Sequence, residues 1–247
     1  KGMGDIRGRG GLGTIRNIKD TGGTLGMSSL LEDLNPEQQE AVRHTEGPLL
    51  ILAGAGSGKT RALTYRVAYL IREKGVPPSN ILAVTFTNKA ASEMRERVER
   101  LAGPMGRRVW VSTFHSFCVK VLRQEARELG ISREFLILDR DDQMVLIRRC
   151  LLDLKLNDKK FPPAALIGAI SGAKNELIGP EEYERRNFGA WGKTVAKVYR
   201  LYQERLTQNS SFDFDDLIGE TVRLFQEYPN VLERYQERFR YIMVDEY

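Results

Sequence analysis

The feature that most constrains this chain of 247 residues is the run Leu49-Leu50-Ile51-Leu52-Ala53, which leads directly into Gly54-Ala55-Gly56-Ser57-Gly58-Lys59-Thr60. Five apolar residues without alternation read as a strand covered on both faces, because a one-faced strand alternates. The glycines then mark a turn, and helical spacing runs from Lys59 to about Lys74. The same order recurs. Ile81-Leu82-Ala83-Val84-Thr85-Phe86 is followed by a helix from Lys89 to Leu101 with Met94, Val98 and Leu101 on one face, and Val109 to Thr113 precedes another helix. Buried strands separated by helices predict a parallel sheet with helices on both faces.

Asn35-Pro36 opens an earlier helix, with Asn35 as cap and Pro36 in the first turn. From Phe114 to about Ser211 strand signals nearly vanish and helical periods take over. Phe212-Asp213-Phe214-Asp215-Asp216-Leu217, two further helices and the apolar Tyr241-Ile242-Met243-Val244 then restore the first pattern. The expected organisation is an α/β sheet domain built from 27–113 and 212–247, with an all-helical subdomain, 114–211, inserted into it. Residues 1–26 hold nine of the 23 glycines and no sustained period, so they are expected to be a disordered basic tail.

Composition excludes several classes. A structural zinc cluster would have to recruit both cysteines and both histidines from unrelated positions, and so few cysteines argue against a disulfide-stapled secreted protein. No apolar run approaches the ~20 residues of a membrane span, so a soluble protein of a reducing compartment is expected. The net charge of +5 is uneven: residues 1–26 carry five Lys/Arg against two Asp/Glu, residues 114–211 carry 17 against 13, and the remainder is −2. Bulk basicity is therefore weak evidence for a polyanionic partner, and such a claim must rest on particular residues.

Ala53 to Thr60 has the spacing of a phosphate-binding loop, with Ala53 in place of the first glycine of the strict pattern. Glycines let backbone N–H groups approach phosphates, and the helix N-terminus adds a favourable dipole. Lys59 would reach the β- and γ-phosphates, and the Thr60 hydroxyl would ligate Mg²⁺. The loop alone does not separate kinase, GTPase, ATPase or helicase. Asp245 and Glu246, at the end of the last apolar run, add two carboxylates: one to hold Mg²⁺, the next to orient and deprotonate a water. The second acid favours nucleotide hydrolysis over phosphoryl transfer to a substrate.

With these residues in view, the chain resembles the UvrD/Rep/PcrA family of superfamily 1 DNA helicases over most of 30–247. Leu34-Asn35-Pro36-Glu37-Gln38-Gln39-Glu40-Ala41-Val42 resembles its Q motif, and Ala53 to Thr60 with Arg61 resembles motif I. Thr85-Phe86-Thr87-Asn88-Lys89-Ala90-Ala91 resembles motif Ia, Ser112-Thr113-Phe114-His115-Ser116 motif Ib, and Asp245-Glu246-Tyr247 the start of motif II. The resemblance implies a RecA-like P-loop NTPase fold, Gln38 reading the adenine edge and Arg61 lying against the adenine ring. It further implies ATP-driven 3′ to 5′ movement on single-stranded DNA and ss/ds junctions, in the bacterial cytosol and nucleoid, with repair or replication proteins as further partners and no membrane.

Phe86 and Phe114 sit at strand ends among Asn88, Lys89, Thr113 and His115, an aromatic-plus-donor set able to grip a single strand without reading its sequence. The rings can also be core residues, the reading that burial frequencies alone favour for Phe114. The resemblance favours the strand for Phe86. The chain stops inside motif II and is expected to be the N-terminal half of a longer motor and a poor ATPase alone. Two rival readings stand beside it: an ATP- and strand-binding module without turnover, and the motor part of a helicase-nuclease.

Overall fold

The computed structural model describes residues 29–54 and 56–246; the expected disordered tail at 1–26, together with Ala55 and Tyr247, lies outside them. In chain order the elements are α1 (Ser29–Glu32), α2 (Pro36–Arg43), α3 (Lys59–Arg72), β1 (Ile81–Thr85), α4 (Asn88–Ala102), β2 (Trp110–Thr113), α5 (Phe114–Gln124), α6 (Ala126–Leu129) and β3 (Leu136–Ile137). They continue with α7 (Arg140–Asp153), α8 (Pro163–Asn175), α9 (Pro180–Arg186), α10 (Ala190–Gln208), β4 (Ser211–Phe212), α11 (Phe214–Glu227), α12 (Pro229–Arg238) and β5 (Tyr241–Val244). Among the described residues no helix is long and apolar enough to cross a membrane.

The main sheet has the order β2-β1-β5, all parallel, with Ala83 opposite Val111 on one side and Met243 on the other. Every residue of β1 is buried. Its odd-numbered side chains, Ile81 and Ala83, join Leu63 and Val67 of α3 and Met94 and Val98 of α4. Its even-numbered ones, Leu82 and Val84, join Val121 of α5, Leu224 of α11 and Val231 of α12. The continuous apolar run thus has the cause inferred for it: both faces are covered. Full burial of a side chain such as Leu70 or Met94 is worth ~1.5–3 kcal/mol.

One expectation is corrected. The run 49–53 forms no strand: an apolar segment joins a sheet only where neighbouring backbone takes its N–H and C=O groups, and no ladder includes it. Leu50 and Leu52 are 66% and 85% exposed, as is Ile242, at 62%, on β5. Within the expected insertion, 114–211, Val121 of α5 packs on the sheet, and α5 is part of its covering layer. A separate helical core, including Ile147, Leu166, Ile170, Val198 and Tyr202, is drawn from α7, α8 and α10. The chain leaves for this block and returns side by side, since β3 and β4 pair in parallel with Leu136 opposite Ser211.

At that return Asp213 caps α11, accepting a hydrogen bond from the Asp216 N–H while the Asp216 carboxylate accepts from the Asp213 N–H. Lys174 of α8 lies 2.7 Å from both carboxylates, and all three side chains are buried. From α10, Tyr202 OH donates to Asp213 at 3.0 Å and Gln203 Nε2 to Asp216 at 3.2 Å. Burial opposes ionisation of both acids. At Asp213 the charge and hydrogen bond of Lys174, with the Asp216 N–H and Tyr202 hydroxyl, overcome it and hold the pKa down. At Asp216 burial, joined by the negative charge of Asp213, prevails over Lys174 and pushes the pKa up to about 6.

Folded Asp216 therefore holds its proton more tightly than the unfolded chain does. Its stabilising contribution is full below the unfolded pKa and is lost as pH rises through about 6. The stability of wild type relative to Asp216→Asn should accordingly decline between about pH 4 and about pH 6. Urea titrations across that window check this, and a constant difference would refute it.

Candidate functional site

All three strands of the main sheet are parallel, so their C-terminal ends share one rim. Thr85 leads there into Phe86, Thr113 into Phe114, and Val244 into Asp245. Asp245 is buried, and its N–H donates to the Val84 carbonyl at 2.9 Å, which extends the ladder by one bond. The glycine-rich turn reaches the same rim. Thr60, in the first turn of α3, donates its hydroxyl to the Asp245 carboxylate, 3.0 and 3.2 Å from its two oxygens. A hydroxyl and a carboxylate this close, 185 residues apart in sequence, make an oxygen-only donor pair of the kind a hard divalent cation takes.

The turn is held by its own groups. Ser57 Oγ donates to the Gly54 carbonyl at 2.7 Å, and Gly56 and Gly58 have φ of +75° and +90°. The Lys59 ammonium donates to the carbonyls of Ala53 at 2.7 Å and Gly54 at 3.0 Å, so it folds back over the mouth of the turn. Gln38 Nε2 donates to the Ser57 carbonyl at 3.0 Å, while Gln38 Oε1 accepts from the N–H of Asn35, which caps α2. The α2 start is thereby tied to the loop. Arg61 donates to the Asp33 carbonyl at 2.7 Å, and its guanidinium carbon is 5.5 Å from the Tyr65 ring centroid. Its cation–π partner here is thus intramolecular. Glu246 is exposed, beside Asp245, with a left-handed φ of +63°.

Beyond β1 and β2 the rim is aromatic. Phe86 is 64% exposed, and its ring meets Phe114 edge-on with centroids 5.6 Å apart. His115 in turn meets Phe214, the first residue of α11, at 5.4 Å. Thr87 caps α4 by accepting from the Ala90 N–H, which leaves Asn88 and Lys89 exposed in its first turn. Thr113 is not presented in this way: it is buried, accepts from the Ser116 N–H and donates to the Ser116 hydroxyl. Its oxygen caps α5. Phe114 is half-buried against the sheet core. Phe214, 46% exposed, lies in this row and was not singled out from the sequence. The signal for it was an aromatic between helix-capping acids, too apolar a residue for an exposed first turn.

Fold and site together define a RecA-like P-loop domain. A model of the UvrD/REP helicase N-terminal domain matches residues 34–247, and the chain belongs to that family. It is 55% identical over 220 residues, 89% of this chain, to the ATP-dependent DNA helicase PcrA of Bacillus subtilis strain 168. Over 221 residues, 90% of this chain, it is 53% identical to the protein of that name from Staphylococcus aureus strain Mu50. It spans 30% of the length of each.

An alanine Cβ at Gly58 would stand 2.5 Å from Gln38 Nε2, at a φ of +90° that L-residues disfavour. Gly58→Ala should cost about 1–2 kcal/mol in backbone strain alone and break the Gln38–Ser57 bond. Denaturant melts check the first, and amide chemical shifts of the loop the second.

Proposed function

We propose that this chain is the N-terminal ATP- and single-stranded-DNA-binding part of an ATP-dependent DNA helicase, with a sheet motor domain interrupted by a helical block of about 139–211. The observation that carries this is the shared rim. The Thr60–Asp245 pair with the glycine-rich turn and the exposed aromatic row lie at the ends of adjacent strands. Such adjacency lets a change at the nucleotide end of one strand reach the strand-facing end of the next. Relatives named ATP-dependent DNA helicase support it. The same reading assigns the protein to the bacterial cytosol and nucleoid, acting at single strands and ss/ds junctions in repair or replication.

In this reading the backbone N–H groups of 54–60 and the start of α3 receive the phosphates of ATP, which replace the Ala53 and Gly54 carbonyls as partners of Lys59. Thr60 and Asp245 would hold Mg²⁺, which when bound supplies positive charge to the phosphate oxygens. Glu246, next along the chain, orients the attacking water and takes its proton. Gln38, already fixed against the loop, meets the adenine edge, and Arg61 exchanges Tyr65 for the adenine ring. Phe86, Phe114, His115 and Phe214 stack bases, while Lys89, Asn88 and the α4 N-terminus take backbone phosphates.

Lys59→Ala should weaken Mg-ATP binding at least tenfold, since it removes the cation that the loop itself carries, and leave oligo(dT) binding intact. Phe86→Ala should do the reverse, weakening oligo(dT) about tenfold with unchanged nucleotide affinity. Fluorescence titrations with a labelled nucleotide and a labelled oligo(dT) check both. Equal losses in both assays would argue against two separable sites. ATP hydrolysis with and without oligo(dT) separates a turning-over motor from a binding module.

A further inference from the structure

The strand-facing row is not anchored on the sheet alone. Its last ring, Phe214, opens α11 between the two acids that cap that helix, and both acids are gripped by one side chain of the helical block. Lys174, 6% exposed at its side chain, is bonded at 2.7 Å to Asp213 on one side of Phe214 and to Asp216 two residues beyond it. On the other flank α11 packs on α5 through Leu217, which shares a buried cluster with Cys118 and Leu122. The start of α5 carries Phe114 and His115. The first turn of α11 is therefore held between the helical block and the element that presents the neighbouring rings.

Stability is a poor reason for this arrangement. Two acids around one buried lysine leave a net negative charge out of water, and apolar groups of similar volume commonly hold such a joint as well or better. What directed ion pairs add is definition of position: Lys174 and the capping bonds fix both acids, and with them the direction in which Phe214 leaves the helix. A cap made by Asp213 alone would leave the tilt of that turn to apolar packing, which is less directional.

We propose that Lys174 is a positioning residue for single-strand binding: by gripping Asp213 and Asp216 it sets Phe214 against His115, so that the helical block determines the geometry of the strand-binding row. This rests on the reading of that row as the strand contact. The block is thereby tied mechanically to the strand site, and a displacement of α8 reaches the rings through one ion-paired turn.

The experiment uses the 247-residue chain and a labelled oligo(dT). Lys174→Met alone strands two buried carboxylates and risks unfolding, so the informative variant neutralises the whole joint: Lys174→Met, Asp213→Asn and Asp216→Asn together, asparagine being as competent a helix cap as the aspartate it replaces. Expected are a cooperative melt, unchanged nucleotide affinity and about a tenfold loss in oligo(dT) affinity. Adding Phe214→Ala to this triple variant should cost nothing further, although Phe214→Ala in wild type costs about as much as the triple variant. Lys174→Arg should retain oligo(dT) binding, since the cavity of about 290 Å³ beside Lys174 and Asp216 has room for a guanidinium.

Wild-type oligo(dT) affinity in the triple variant overturns the proposal, as does loss of the cooperative melt, which would assign the cluster to stability. Additive losses with Phe214→Ala overturn it too. If Phe86→Ala and Phe214→Ala in wild type both leave oligo(dT) binding unchanged, the strand-row reading itself fails, an outcome distinct from the other three.

Discussion

The parallel pairing of β1 with β2 on one side and β5 on the other is the constraint on which the rest depends. Parallel ladders put all strand ends of one polarity on one rim, and here each end is followed at once by a residue proposed to act: Phe86, Phe114 and Asp245. An antiparallel partner for β1 would have sent one of these to the opposite edge. The register adds the finer placement, because the hydrogen bond from Asp245 N–H to the Val84 carbonyl holds the carboxylate at the height of the Thr60 hydroxyl. Burial of β1 on both faces makes the ladder hard to shift: a slip of one residue would exchange the side chains that face the α3–α4 layer with those that face α5, α11 and α12.

The groups proposed to meet a nucleotide are already satisfied. Lys59 lies on two carbonyls of its own loop, Gln38 on a third, Arg61 on Asp33 and Tyr65, and Thr60 on Asp245. Nucleotide binding on this reading exchanges internal hydrogen bonds for bonds to the ligand. That keeps the cost of polar burial low in both states and makes the α2–loop contact sensitive to what occupies the loop.

The helical block joins the sheet domain by a different kind of contact. Its own core is apolar, whereas the joint is ionic, with Lys174, Asp213, Asp216, Tyr202 and Gln203 exchanging directed bonds. Buried charge is a costly way to join two bodies and a well-defined way to orient them. The position of Phe214 within that joint gives the definition a use.

Much of this was legible in the sequence. Apolar runs without alternation, helical spacing and the glycine-rich turn determined a parallel α/β core, and motif order singled out Lys59, Thr60, Asp245 and Phe86, because each depends on neighbours within a few residues. What depends on distant chain was decided only by the tertiary structure. The run 49–53 has strand composition but no ladder partner; Thr113 has a hydroxyl that the following turn consumes; α5 belongs to the sheet's covering layer although its helical period matches the block beyond it. The grip of Lys174 on the turn that carries Phe214 was invisible for the same reason. A lysine and an aromatic that far apart in the chain carry no pattern of their own, and only the packing of α8 against α11 brings a charge into the first turn of a helix whose exposed ring faces His115.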